Sequence, residues 1–112
     1  MSVLISRNRD VVIAIPSGRL DTNNAPEAEA LIVKEIENGQ TRIVVDFAKT
    51  NYISSAGLRV ILKALKLLKP KGGTITLCNA NEQITEVLEI TGFLTMLECF
   101  PSLDDALRHA SA

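Results

Sequence analysis

Segments with the apolar pattern of β-strands alternate with segments patterned like amphipathic helices along almost all of this 112-residue chain. The predicted order is β-β-α-β-α-β-α-β-α. Strands that alternate with helices form a mostly parallel sheet joined by right-handed crossovers. We therefore predict an α/β fold with a single-layer mixed, mostly parallel sheet, an N-terminal antiparallel hairpin and flanking helices. The length predicts a single domain over residues 1–112.

Apolar periodicity and turn residues give the approximate bounds of these elements. Strands are predicted at 3–7, 11–16, 42–47, 74–78 and 95–100, and helices at 25–38, 55–69, 82–91 and from 102 onward. Asn24, Asn81 and Ser102 are the expected helix N-caps. In such sheets ligands and partners meet the carboxyl ends of the strands, which places the loops 18–24, 48–55 and 79–81 at the expected functional edge.

The composition argues against several classes of function. Twelve basic residues against 13 acidic ones leave a net charge of −1, and only 4% of residues are aromatic. A nucleic-acid binder usually carries a basic patch or a platform of stacking aromatic rings, so we expect no nucleic-acid partner. Without a long apolar run or a signal-peptide pattern at 1–9, we expect a cytoplasmic protein with no membrane partner.

The chain also lacks the usual patterns of catalytic and metal sites. Cys78 and Cys99 lie in apolar strand-like runs and, with one histidine (His109), make a poor ligand set, so we expect buried free thiols rather than a disulfide, and no metal. Asp21, Asp46 and Ser55 could form a small hydrolase site only if their loops met. Nothing supplies a general base near neutral pH, so we expect no enzyme activity and no cofactor.

Residues 51–60 carry the most informative pattern, because two serines and a glycine begin a helix there. A phosphate on Ser55 would add about −1.5 to −2 charges at the helix N-terminus, where the helix dipole favours an anion. Phosphorylation could then block a partner without unfolding the protein. Gly57 would let another part of the backbone approach closely. The alternative is that Ser54 and Ser55 are only N-caps and Gly57 only a packing contact.

The same helix carries a row of cations. Arg59, Lys63 and Lys66 follow i, i+4, i+7 spacing and form a basic ridge that begins beside Ser55. Such a ridge could guide an acidic partner surface to the serine. The alternative is an ordinary solvated helix face.

Taken together, the motifs resemble those of the STAS-domain anti-sigma factor antagonists, the small stand-alone bacterial kind. The resemblance covers essentially the whole chain. It is carried by Val44-Val45-Asp46-Phe47 with Ile53-Ser54-Ser55-Ala56-Gly57-Leu58-Arg59-Val60, by Gly18-Arg19-Leu20-Asp21, by Glu89-Ile90-Thr91-Gly92-Phe93, and by 102–107.

The resemblance implies a phosphorylation-controlled exchange of partners. The unphosphorylated protein would bind an anti-sigma factor that is also a serine kinase of the histidine-kinase-like ATPase fold, and this binding would free the sigma factor. The kinase would then use its own ATP to phosphorylate Ser55, and a PP2C-type phosphatase would reverse the reaction. The expected partner-binding residues are Asp21, Thr22, Asn23, Ser54, Ser55, Ala56, Gly57, Arg59, Lys63 and Lys66.

The chain departs from the family pattern at one position. Many members have Asp before the acceptor serine, and here that position is Ser54. Ser54 is therefore the second candidate acceptor, or a cap that orders the loop. A second functional reading keeps the fold but makes the chain an unphosphorylated structural subunit of an ABC-type lipid transport complex. We expect a monomer, because no coiled coil or exposed apolar helix is evident.

Overall fold

A computed structural model describes residues 2–111 of the chain. The strands are β1 (Val3–Asn8), β2 (Val11–Pro16), β3 (Gly18–Leu20), β4 (Arg42–Asp46), β5 (Thr50–Ile53), β6 (Thr74–Cys78) and β7 (Cys99–Phe100). The α-helices are α1 (Ala25–Glu37), α2 (Ser55–Leu68), α3 (Glu82–Ile90) and α4 (Leu103–Ser111). Single turns of 3₁₀ helix follow α2 and α3.

The main sheet has five strands in the order β1-β2-β4-β6-β7. β1 and β2 form the antiparallel hairpin, and every other neighbouring pair is parallel. The predicted fold class is thereby confirmed.

The loops predicted between residues 18 and 24 and after residue 48 contain the short strands β3 and β5, so those local predictions are wrong. β3 and β5 pair in parallel as a separate two-stranded sheet, with Leu20 opposite Ile53. β3 has only three residues and begins at a glycine, so its own sequence has no strand periodicity to detect. The pairing with β5 makes it a strand.

The last predicted strand is also shorter than expected. Residues 95–100 were assigned to it, but Phe93–Thr95 form a 3₁₀ turn and only Cys99–Phe100 pair with β6. Gly92 begins this turn with φ +79°, a left-handed conformation that glycine adopts without strain.

Helices cover both faces of the main sheet. Val12, Ile43 and Leu77 point to the face covered by α1, α2 and α3, whereas Val11 and Val44 point to the face covered by α4. Neighbouring residues of a strand point to opposite faces. A strand that is buried on both faces is therefore apolar at consecutive positions, as in Ile43-Val44-Val45.

Candidate functional site

The two-stranded sheet brings the first loop of the chain against the start of α2. Leu20 and Ile53 are the last residues of β3 and β5, and they lie side by side. The backbone N–H of Ser54 donates to the carbonyl of Leu20 at 2.9 Å. Asp21 and Ser54 each follow one of these paired residues, so two segments separated by more than 30 positions in the sequence meet at one surface.

Ser54 and Ser55 have different environments. Ser54 is the N-cap of α2, with φ −97° and ψ 176°, and its Oγ accepts hydrogen bonds from the N–H groups of Ala56 (3.2 Å) and Gly57 (3.5 Å). Ser55 is the first residue of the helix and is exposed. The hydroxyl of Ser54 is occupied in capping, while that of Ser55 faces solvent at the positive end of the helix dipole.

The loop after β3 is held together by its own polar side chains. Asp21 Oδ1 accepts from the N–H of Asn23 at 3.0 Å, which is an Asx-turn arrangement. The buried side chain of Asn24 accepts from the N–H of Asp21 at 2.9 Å and donates to the carbonyl of Arg19 at 2.8 Å. Thr22 and Asn23 remain exposed.

Asn24 stands at the N-cap position of α1, as predicted, but its side chain makes no capping hydrogen bond to the helix. That part of the prediction is wrong. The amide is already committed to closing the loop on both sides of Asp21, and it cannot also reach into the first turn of α1.

Gly57 lies beneath this surface, in the first turn of α2. A Cβ atom added there would lie 2.8 Å from Ile53 Cγ1, 2.9 Å from Leu20 Cγ and 3.0 Å from the carbonyl oxygen of Leu20. These distances are shorter than normal carbon contacts. The close approach of another backbone that the sequence suggested is present, and the neighbour is the end of β3.

Arg19 and Tyr52 are not among the predicted partner-binding residues, although Arg19 lies within the Gly18-Arg19-Leu20-Asp21 motif. The Arg19 guanidinium lies over the Tyr52 ring, 4.2 Å from its centroid, and Arg19 Nε is 3.4 Å from Asp21 Oδ2. A cation over an aromatic face is attracted by the ring's quadrupole. The pair joins β3 to β5 and keeps a positive charge beside the Asp21 carboxylate.

The basic ridge on α2 is present and exposed at Arg59, Lys63 and Lys66. Its members are not equivalent, since Lys63 Nζ pairs with Glu29 of α1 at 3.1 Å. A groove runs between the two helices beside the ridge. It is lined by Thr22, Ala25, Pro26, Glu29, Ala56, Arg59 and Val60.

Asp46 belongs to a different network from Asp21. It is 6% exposed, and its Oδ1 accepts from the N–H of Ala48 and from Asn79 Nδ2, both at 2.9 Å. Burial, followed by the nearby Asp46 charge, raises the pKa of the adjacent Cys78 thiol to about 12. These contacts tie the ends of β4 and β6 together, so Asp46 has a structural role.

The two cysteines lie on opposite faces of the sheet. Cys78 packs with the α4 side and Cys99 with the other side. Burial raises the pKa of Cys99 as well. Both are free thiols, and Cys78 is buried as predicted, whereas Cys99 is only half-buried because its short strand lies at the edge of the sheet. Within residues 2–111, no three His, Cys, Asp or Glu side chains come together as a metal-binding group.

The longest helix, α2, has 14 residues. Across the part of the chain that the structure describes, no helix combines the length and apolarity needed to cross a membrane.

Residues 2–106 match the family model of the STAS domain. The chain belongs to the STAS-domain family. It is 35% identical over 96 residues to BtrV of Bordetella bronchiseptica, which is named as a candidate anti-sigma factor antagonist; the match covers 86% of this chain and 83% of BtrV.

Solved structures with the STAS fold superpose on almost the whole chain. A candidate anti-sigma factor antagonist from Thermotoga maritima has a TM-score of 0.92 at 24% identity, covering 98% of this chain and 95% of the other. SpoIIAA, an anti-sigma factor antagonist of Bacillus, has been solved unphosphorylated (TM-score 0.79, 19% identity, 98% of both chains) and phosphorylated (TM-score 0.78, 21% identity, 96% of this chain and 97% of the other). At these identities the structures support the fold.

Proposed function

We propose that this STAS domain is an anti-sigma factor antagonist whose binding is controlled by phosphorylation of Ser55. The observation that carries the proposal is the exposed Ser55 at the start of α2. The hydrogen bond from the Ser54 N–H to the Leu20 carbonyl joins this helix start to the first loop, in which Thr22 and Asn23 are exposed. The similarity to BtrV supports the same class of function. The partner would be an anti-sigma factor with a histidine-kinase-like ATPase fold.

In the proposed cycle, the unphosphorylated protein binds the anti-sigma factor and releases the sigma factor. The bound kinase then transfers the γ-phosphoryl group of ATP to Ser55 Oγ. The new bond is O–P, ADP leaves, and the hydroxyl proton passes to a base on the kinase. A PP2C-type phosphatase uses water to release inorganic phosphate and restores the hydroxyl. The STAS domain itself supplies no catalytic group and needs no cofactor.

The local contacts favour Ser55 over Ser54 as the acceptor. Ser54 Oγ caps two N–H groups of α2, so a kinase would have to break the cap to reach it. Ser55 has an exposed side chain, and a phosphate there would meet the positive end of the helix. Phosphorylation at Ser55 would therefore alter the surface at little cost to the fold.

Charge and shape explain how the phosphate would end binding. The exposed surface around Ser55 includes the basic ridge, which suits an acidic partner surface. A phosphate in its midst would place about −1.5 to −2 charges against that surface. Repulsion and steric overlap together would raise the dissociation rate.

The first experiment is a phosphorylation assay with mass mapping. The protein is incubated with Mg²⁺, ATP and the histidine-kinase-like ATPase encoded nearest to it, and the modified residue is located by fragmentation. We expect one phosphate on Ser55, its absence in Ser55→Ala, and its persistence in Ser54→Ala. Phosphate confined to Ser54 would overturn the site.

Binding is measured on the same partner. Ser55→Asp should abolish binding while its unfolding free energy stays within ~1 kcal/mol of the parent, and Ser55→Ala should bind constitutively. Wild-type affinity in Ser55→Asp together with copurification of a transporter ATPase would replace the proposal with the structural-subunit reading.

A further inference from the structure

Arg59 differs from the other cations near the proposed phosphorylation site. Arg19 is engaged by Tyr52 and Asp21, and Lys63 by Glu29. Arg59 is exposed, and among residues 2–111 no carboxylate lies within ion-pair distance of it. Among the same residues Lys66 is unpaired as well, but it lies 11 residues beyond Ser55, about 16 Å along the helix. Arg59 is therefore the unpaired cation of the basic ridge that lies nearest to Ser55.

Arg59 lies about one helical turn beyond Ser55 in α2. The two residues are four apart in one helix, so their side chains are neighbours on the same face. Helical side chains lean toward the N-terminus, which brings the long Arg59 side chain back over the turn that Ser55 begins. An anion four residues before a cation is the favourable order for such a pair.

We propose that Arg59 holds the phosphate of phosphorylated Ser55 within the same molecule. The inference rests on the proposed function, because it concerns the phosphorylated form. A guanidinium offers two parallel N–H donors that match two phosphate oxygens. Phosphorylation would add the phosphate, and formation of the pair would withdraw Arg59 from the basic ridge. Phosphorylation would then change two charges of the docking surface at once.

The neighbouring charges are compatible with this pair. Glu29, across the groove on α1, is already bound by Lys63, and the Asp21 carboxylate is held by the N–H of Asn23 and by Arg19. Neither carboxylate has to release a partner for Arg59 to turn to Ser55. Lys63 is eight residues beyond Ser55, about 12 Å along the helix, where a solvent-exposed interaction is largely screened.

The test is a ³¹P NMR titration of protein carrying phosphoserine at position 55, introduced during translation so that no kinase is needed. The second ionisation of phosphoserine has a pKa of about 6, and a nearby guanidinium favours the dianion and lowers it. We expect Arg59→Gln to raise this pKa by roughly 0.2–0.4 units, and Arg59→Lys to have a smaller effect because the charge is kept.

Lys66→Gln is the matched control, since it removes one positive charge from the exposed side of the same helix and leaves the Lys63–Glu29 pair in place. We expect it to shift the phosphate pKa by less than about 0.1 unit. A second control is protein with phosphoserine at position 54, whose titration should not respond to Arg59→Gln. Equal pKa values for phosphoserine 55 in the parent and in Arg59→Gln would overturn the pair.

The proposed function can fail separately from this inference. If phosphoserine at position 55 leaves binding to the anti-sigma factor unchanged while Arg59→Gln still shifts the titration, the function is wrong and the pair stands. If phosphoserine abolishes binding but the titration ignores Arg59, the function stands and the pair is wrong.

Discussion

Two clusters at strand ends of this protein each contain an aspartate, and they differ in almost every other respect. The Ser55 surface consists of Asp21, Thr22, Asn23, Ser54 and Ser55, and most of it is open to solvent. The Asp46 cluster consists of Asp46, Cys78 and Asn79 at the ends of β4 and β6, with Asp46 and Cys78 buried. Asp46 is the last residue of β4, and Asp21 directly follows β3. The residue type is the same, so burial and hydrogen-bond partners separate a surface suited to recognition from a cluster that holds the sheet together.

The support beneath the Ser55 surface is as tightly packed as the core. Gly57→Val should lower the free energy of unfolding by about 2–3 kcal/mol, because its Cβ would overlap Ile53 and the backbone of Leu20. Urea unfolding followed by circular dichroism measures the change. Lys66→Val, on the exposed face of α2, is the control and should cost only a few tenths of a kcal/mol. A Gly57→Val variant as stable as the parent would mean that β3 moves aside freely.

The two aspartates give the most direct comparison. Asp46→Ala should cost about 2–3 kcal/mol of stability, because it leaves the Ala48 N–H and the Asn79 amide without their acceptor. Asp21→Ala removes a partly exposed turn and should cost about 1 kcal/mol. When folded protein is used, Asp21→Ala should weaken binding to the proposed anti-sigma factor partner more than Asp46→Ala does. Equal stability losses would remove the distinction between the clusters.

The pKa of Cys78 provides a test of burial in the Asp46 cluster. In the folded protein the pKa of the Cys78 thiol is raised from the ordinary value of 9.0 to about 12. As the pH rises, the unfolded chain therefore loses this proton before the folded protein does. Stability should therefore fall between about pH 9 and 12, by roughly 1–2 kcal/mol at pH 10. Urea unfolding of the parent and of Cys78→Val checks this. The slope against pH should be smaller in the variant, and an unchanged slope would assign the fall to other groups.

The smallest difference concerns the two serines. Ser54→Ala should cost about 1 kcal/mol because two N–H groups lose their cap, whereas Ser55→Ala should stay within about 0.5 kcal/mol of the parent. Thermal and urea unfolding of both variants provide the measurement. A larger loss for Ser55→Ala would show that Ser55 supports the helix and would weaken its assignment as the modified residue.

Local patterns predicted those elements whose information lies within a few neighbouring residues. The leucine stripe of α2 follows helical spacing. The helix caps predicted at the starts of α3 and α4 are also present, since Asn81 accepts from the N–H of Ile84 and Ser102 accepts from the N–H of Asp105. The main strands read as continuous apolar runs because helices bury both of their faces. The family motif added the serine and the first loop to the list of site residues.

The pairings between distant segments could not be read in the same way. Nothing in the three residues of β3 shows that they pair with β5, and nothing near Arg19 shows that its guanidinium lies over Tyr52. Lys63 reads as one cation of a ridge until α1 packs beside α2 and brings Glu29 to it from 34 residues away. Each of these contacts depends on how two elements are aligned in the fold, and the sequence of one element alone does not predict that alignment.

The sequence by itself therefore determined the α/β order, the amphipathic faces and the caps of α2, α3 and α4, because periodicity and capping act over one or two helical turns. The family motif identified the candidate serine. The tertiary structure decided which loops meet, which aspartate is buried and which cation remains available to Ser55. The physical reason is that burial, desolvation and the pairing of charges depend on neighbours in space, and the fold brings these neighbours from distant parts of the chain.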